Sequence, residues 1–577
     1  MESTTKEEAL ARLKCLPVSS LRELIGRLTL RQAESIRRQQ PEKNELARLL
    51  LARYGPLLLA GRPGLDSRHT SPRLELLKQL DDSELRALLS QLRGRSVRIR
   101  NRQRMLHQLA VYPWVRGSRN SLLITRALEL PDAFAGQADD TPAPRSEVLP
   151  AAFEYHPLFR YQRQLVEELI KLLQTESRAM LSCYTGTGKT RMGMEILCRS
   201  LQNRRSATVL WAAHKAELLE QAIATLKRIW PHLTRGLSLR IMRYYGGNEL
   251  DPCQLEEDQI NVIFCSNQQV ILRLRAGDPH LIDWLGKTDL LVVDEAHMAL
   301  ASGYQDLLAA YEGIRGETHR VLGLTATPGR SDLISPQESA ALGKLFHGCL
   351  VIPDVNQGKS PLQWFQKNGY LSQIDHQRMH LPSRLTAKLQ QQIEQEEDLP
   401  LAVLERLGRD PRRNAHIIKV AAQMVKKGRR PLIFCCSVQQ AKLLQDLLLL
   451  EGLDAGSVTG EMDLRDRHWI LEQYRQRKLQ VLLNVEVLTT GFDIPQVDTL
   501  MLCRPTFSGI LYEQMVGRGL RGPRVGGTER CLIVDFTENF ERFERPLAWQ
   551  RWWEAWPKSR LDFLARSAPD AWNARPA

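Results

Sequence analysis

The chain has 577 residues, room for three or four domains of about 150 residues each, and its 43% apolar and 25% charged residues leave ample material for globular cores. Ten cysteines without a C-x-x-C pair argue against a zinc site or disulfide framework. No run approaches about 18 apolar residues, and the opening MESTTKEEAL lacks the apolar core of a signal peptide, so a cytoplasmic protein without a membrane span is expected.

Residues 1–145 read as a helical, basic N-terminal domain. SSLRELIGRLTLRQAESIRR and DDSELRALLSQL place leucines three and four apart behind Ser or Asp start signals. Residues 1–150 hold 26 Lys and Arg against 17 Asp and Glu, an excess of +9 within a net charge of +14. LRGRSVRIRNRQR (92–104) carries six arginines and no acid. It is expected to bind nucleic-acid phosphates through Arg93, Arg95, Arg98 and Arg100, against the plainer reading of a solvated turn. GQADDTPAPRSEVLP (136–150) has the composition of a linker.

Beyond it the texture changes. RAMLSC, ATVLWAAH, NVIFCS, DLLVVDEA and RVLGLTATP are short apolar runs separated by helical stretches, the pattern of buried parallel strands with crossover helices. The pattern fills 150–352, lapses over a Gln-rich, charged connection at 353–412, and returns over 413–545 with RRPLIFCCS, LQVLLNVE, VDTLMLCRP and ERCLIVDF. The expected fold is α/β: two tandem RecA-like doubly wound parallel-sheet domains behind a mainly helical N-terminal one. In the tail, 546–577, Trp549, Trp552, Trp553 and Trp556 share one helical face, expected to dock rather than stack on bases.

CYTGTGKT (183–190) nearly matches the phosphate loop G-x-x-x-x-G-K-[ST], with Cys183 where the first glycine belongs. Its setting is the one that motif needs, a strand before it and a helix after it. Gly186 and Gly188 would let the backbone, Thr187 included, approach the phosphates of ATP. Lys189 would reach the β and γ phosphates, and Thr190 would hold Mg²⁺. The apolar strand in DLLVVDEAH ends at the same sheet edge. There Asp294 would hold Mg²⁺ through water, and Glu295 would orient and deprotonate the attacking water.

TGTGKT, DEAH, LTATP (324–328), TTGFD (489–493) and QMVGRGLR (514–521) stand in the order found in superfamily 2 helicases and translocases. The chain resembles the restriction-subunit-like branch of that superfamily, which also holds UvrB- and RadD-like proteins, over about 155–540. The resemblance implies that Gln162 contacts adenine and that Gly491 and Asp493 belong to the nucleotide site. It implies that His214 and Lys215 in AAHKAELLEQ, Ser266 in FCSNQQ, and Thr490 contact nucleic acid. His297, Thr325, Thr327 and Gln514 would couple hydrolysis to movement. Arg518 and Arg521 would reach the γ-phosphate from the second lobe as arginine fingers. Leu520 stands where RNA-directed relatives often carry glycine, which leans toward DNA.

No lysine has an acid two positions before it, so the D/E-x-K element of a nuclease is absent, as is the C-terminal cysteine cluster of RadD-like proteins. The expectation is an ATP-dependent DNA helicase or translocase of repair, restriction or phage defence, gripping DNA mainly by its backbone. The alternatives are an ATP-gated nucleic-acid clamp or loader, or an RNA helicase.

Overall fold

A computed structural model describes residues 3–537 apart from 38, 56–57, 61–70, 137–145, 148–154, 235–236, 246–258, 327–335, 354–360, 381–390, 392–397, 461, 463 and 486–495. Beyond the N-terminal helices the chain is organised around two sheets.

The first sheet holds β1 (Ser146–Glu147), β2 (Arg178–Ser182), β3 (Ala207–Ala213), β4 (Leu239–Tyr244), β5 (Ile260–Ser266), β6 (Thr288–Asp294), β7 (Val321–Thr325) and β8 (Leu350–Val351). Its order is β1-β4-β5-β3-β6-β7-β2-β8. All pairings are parallel except β1 with β4. Every residue of β2, β3 and β7 is buried, as befits strands covered by helices on both faces. β2 lies between β7 and β8, and its C-terminal end faces the crevice where open α/β sheets bind ligands.

The second sheet holds β9 (Gln373–His380), β10 (Pro431–Phe434), β11 (Ala455–Val458), β12 (Val481–Asn484), β13 (Thr499–Leu502) and β14 (Arg530–Thr537). Its order is β11-β12-β10-β13-β14-β9, all parallel. β9 arises within 353–412, the stretch expected as a connection. Its sequence QIDHQRMH is polar because it is an edge strand, so it lacks the apolar run that marks its neighbours.

The N-terminal region is helical from Ser3–Lys14 through Arg119–Ala127. Asp81 starts the helix Asp82–Arg93 with a reciprocal cap. Its carboxylate accepts from Ser83 N (2.7 Å) and Glu84 N (2.9 Å), and the Glu84 side chain accepts from Asp81 N. Of the leucines expected to form a stripe, Leu21, Leu24, Leu85, Leu88 and Leu89 are buried, while Leu28 is exposed.

This region is joined to the second lobe by buried polar contacts. Arg53, on the helix Lys43–Tyr54, forms an ion pair with Asp446 on Val438–Leu450, with Nε–Oδ1 at 2.8 Å. Thr29 Oγ1 donates to Asp446 at 3.1 Å. Gln32 donates to Arg409 O (2.9 Å) and accepts from Asn414 (3.1 Å). Burial pushes the Asp446 carboxyl up, against the pull of Arg53 and Thr29. A buried ion pair adds little net stability but leaves an unpaired charge if the surfaces part, so it fixes how they meet.

Candidate nucleotide site between the two sheets

The loop after β2 explains the cysteine in its motif. Cys183 is fully buried, and its N–H donates to Thr325 O at the end of β7 (3.1 Å). Thr187 Oγ1 lies 2.9 Å from Cys183 Sγ and 2.6 Å from Tyr184 O, so a small, weakly accepting side chain closes the turn. Gly188 has φ +87°, and a Cβ there would meet Gln162 Nε2 at 2.7 Å, so this position requires glycine. The helix Lys189–Leu201 begins at the next residue, placing Lys189 and Thr190 in its first turn.

Gln162 braces the loop. Its Nε2 donates to Thr187 O (2.9 Å), its Oε1 accepts from Phe159 N (3.0 Å), and Tyr161 OH donates to the same Thr187 O (2.8 Å). Nothing in the sequence marks the Tyr161 hydroxyl as a loop contact.

At the end of β6, Asp294 Oδ1 accepts from Glu295 N (3.0 Å), while the buried Oδ2 has no hydrogen-bond partner among the described residues. A carboxylate oxygen held out of water without a donor fits a hard cation. Burial and the neighbouring Glu295 push Asp294 up to about 7, against the pull of Lys189. Glu295 adopts φ 55°, a left-handed conformation uncommon outside glycine. Burial pushes its carboxyl up, but the hydrogen bond from His297 and the charges of His297, Lys189 and His214 outweigh it and hold the group low. His297 Nδ1 lies 3.4 Å from Glu295 and 3.2 Å from Thr325 Oγ1, so one imidazole touches both strand ends.

The second lobe reaches the same place. The helix Gly509–Val516 carries Gln514 and leads into Gly517, Arg518 and Arg521. A Cβ on Gly517 would meet Thr185 of the phosphate loop, and one on Gly186 would meet Arg521 Cγ at 3.1 Å. Desolvation pulls both guanidiniums down to about 10, and Arg518 feels the charge of Glu295. Arg518 and Arg521 are therefore cations held in a poorly hydrated crevice beside the loop and the acidic pair.

The other expected residues divide. His214 sits within the electrostatic reach of Glu295 and His297, and burial lowers it to about 4. Lys215 precedes the helix Ala216–Leu233, and Ser266 caps Asn267–Arg275 through Gln269 N (3.4 Å). Thr327, Thr490, Gly491, Asp493 and the four tail tryptophans lie outside the described residues. Arg95, Arg98, Arg100 and Arg104 are exposed. Arg93, also exposed, reaches Gln108 (3.0 Å). Arg102 is committed within the fold, to Asp82 (2.6 Å), Leu80 O (2.8 Å) and Lys78 O (3.0 Å). Among the described residues no helix is long and apolar enough to cross a membrane.

Two parallel sheets in tandem, a phosphate-type loop at the start of a helix, an acidic pair at the end of β6 and arginines from the second lobe make up a RecA-like architecture with a candidate nucleotide site. Residues 155–330 match the family "Type III restriction enzyme, res subunit", and 413–522 match "Helicase conserved C-terminal domain". "Putative ATP-dependent helicase IRC3" of Saccharomyces cerevisiae is 26% identical over 68% of this chain and 53% of its own length. "Type I restriction enzyme EcoKI endonuclease subunit" of Escherichia coli is 24% identical over 71% of this chain and 37% of its own. "ATP-dependent RNA helicase DBP3" of Scheffersomyces stipitis is 23% identical over 55% of this chain and 52% of its own. The chain thus spans about half the length of the Saccharomyces relative it matches. These matches support a superfamily 2 helicase of the restriction-subunit-like branch, and the helicase domains imply the use and hydrolysis of ATP.

Proposed function

We propose that this chain is an ATP-driven DNA translocase or helicase whose hydrolytic site is completed only when its lobes meet. The observation that carries the reading is the convergence of Arg518 and Arg521, from the second lobe, on the phosphate loop and Glu295 of the first. In this reading the loop amides and Lys189 hold the β and γ phosphates, and Gln162 faces the adenine. Mg²⁺, held by Thr190 and Asp294, would neutralise phosphate charge. Glu295, kept ionised by His297, orients the attacking water and accepts its proton. Arg518 and Arg521 stabilise charge that grows on the transferring phosphoryl group. Loss of the γ-phosphate removes what the arginines hold, so hydrolysis loosens the lobes. His297 and Thr325 transmit that change between strand ends, and Gln514 carries it on the second lobe.

Arg518→Ala and Arg521→Ala are expected to lower ATP kcat by about 10³-fold or more, with nucleotide affinity changed far less. Steady-state turnover beside equilibrium binding of a labelled nucleotide measures both. Near-normal kcat in both variants would place the catalytic arginine elsewhere.

DNA is favoured as the track by the restriction-subunit match over 155–330 and by Leu520. The RNA reading draws on the similarity to DBP3. The clamp reading differs in opening few base pairs per ATP. The exposed Arg93, Arg95, Arg98 and Arg100, on a domain braced against the second lobe, would add phosphate contacts outside the cleft. ATP turnover should rise more with DNA than with RNA of the same sequence. Changing those four arginines to serine should weaken duplex binding and flatten its salt dependence by about 0.9 in log–log slope for each phosphate no longer neutralised. Basal turnover should persist, because the substitutions lie outside the nucleotide site. Stronger stimulation by RNA would overturn the choice of track. An unchanged slope would return the arginine run to solvated surface.

A further inference from the structure

A strap of chain before β9 joins the wall beside Gln162 to the loop that carries Arg521. On one side Tyr370 packs edge-on to Phe159 (4.9 Å between ring centres) and Tyr161 (5.0 Å), and stacks with Trp364 (5.6 Å). Tyr161 in turn donates to Thr187 O in the phosphate loop.

On the other side the backbone is stitched to the loop after Arg518. Ser372 N donates to Leu520 O (2.8 Å), Gly522 N to Tyr370 O (3.0 Å) and Arg524 N to Gly369 O (3.0 Å). Leu371 and Arg521 form an antiparallel bridge. At its centre Ser372 is fully buried, with Oγ 2.5 Å from Arg521 O and 2.6 Å from Thr528 O. Thr528 N closes the arrangement by donating to Arg521 O (3.0 Å).

We propose that Ser372 is a positioning residue for Arg521, holding that arginine's backbone so that its side chain meets the γ-phosphate in register with the adenine wall. The proposal rests on the reading of Arg521 as a finger. The single hydroxyl hydrogen of Ser372, shared between the carbonyls of Arg521 and Thr528, holds the Arg521 carbonyl from one side while the Thr528 amide holds it from the other. Without it the arginine's Cα is free to shift, and displacements of about 1 Å at a catalytic group cost rates on the order of a hundredfold. The sequence shows no sign of this role, since Ser372 lies in the stretch between the two sheets and in no helicase motif.

The test is a double-mutant cycle on the full chain, read as ATP kcat and KM. Ser372→Ala should lower kcat roughly tenfold, with KM within about twofold and Tm changed little. In the Arg521→Ala background, Ser372→Ala should change kcat by less than about twofold. The same loss in both backgrounds would show that Ser372 supports the fold generally and would overturn the proposal. Near-normal kcat for Arg521→Ala alone would instead overturn the finger reading. If Ser372→Ala does not fold, Ser372→Cys takes its place in the cycle, keeping the volume with a weaker donor. A kcat for that variant equal to wild type would also overturn the proposal.

Discussion

Lys189→Ala is expected to abolish ATP turnover, lowering kcat by at least about 10²–10³-fold and weakening nucleotide binding as well. The lysine opens the helix after the phosphate loop, and its charge acts on both Asp294 and Glu295. Its removal takes a cation from the phosphates and leaves two carboxylates near the anionic substrate. The missing cation weakens binding of the ground-state nucleotide, which raises KM, and costs more as charge grows on the transferring phosphoryl group, which lowers kcat. The fold should persist, because the hydrogen bonds of Thr187 to Cys183, Tyr184, Tyr161 and Gln162 do not use Lys189. Phosphate release and calorimetric nucleotide binding check the pair. Turnover within about tenfold of wild type would mean that another cation serves the β and γ phosphates.

Glu295→Gln should give the opposite split. ATP binding should survive or tighten, while turnover falls by roughly 10²–10⁴-fold. An amide of the same shape fills the site, and removing one negative charge favours the anionic nucleotide. It cannot accept a proton from water. His297 should still bridge to Thr325, because that contact does not pass through Glu295. Burst and steady-state phosphate measurements separate loss of chemistry from slow release. Hydrolysis at close to wild-type rate would remove Glu295 from the role of base.

The parts of the fold that can be read from sequence are those where one physical requirement dominates. β2, β3 and β7 are buried along their whole length, so they appear as unbroken apolar runs. The phosphate loop and the strand ending at Asp294 are local motifs, marked by glycines and paired acids within a few residues of each other. β9 is not legible in this way, because it is an edge strand in which none of residues 373–379 is fully buried, and no apolar run marks it. The Arg53–Asp446 pair joins residues 393 positions apart, and neither lies in a sequence context that singles it out. The arginine run shows the same limit at short range. Arg102 looks like Arg100 in sequence, yet it is fixed to Asp82 and two carbonyls while Arg100 is exposed.

In the proposed function, hydrolysis at the composite site drives movement along nucleic acid. It is tested most directly by strand displacement on a tailed DNA duplex, with wild type and Glu295→Gln run side by side and phosphate release recorded in the same tube. Wild type should open the duplex while consuming ATP. Glu295→Gln should bind both ATP and DNA and open nothing. Duplex opening by Glu295→Gln as fast as by wild type, or vigorous ATP consumption by wild type with neither opening nor movement, would contradict it.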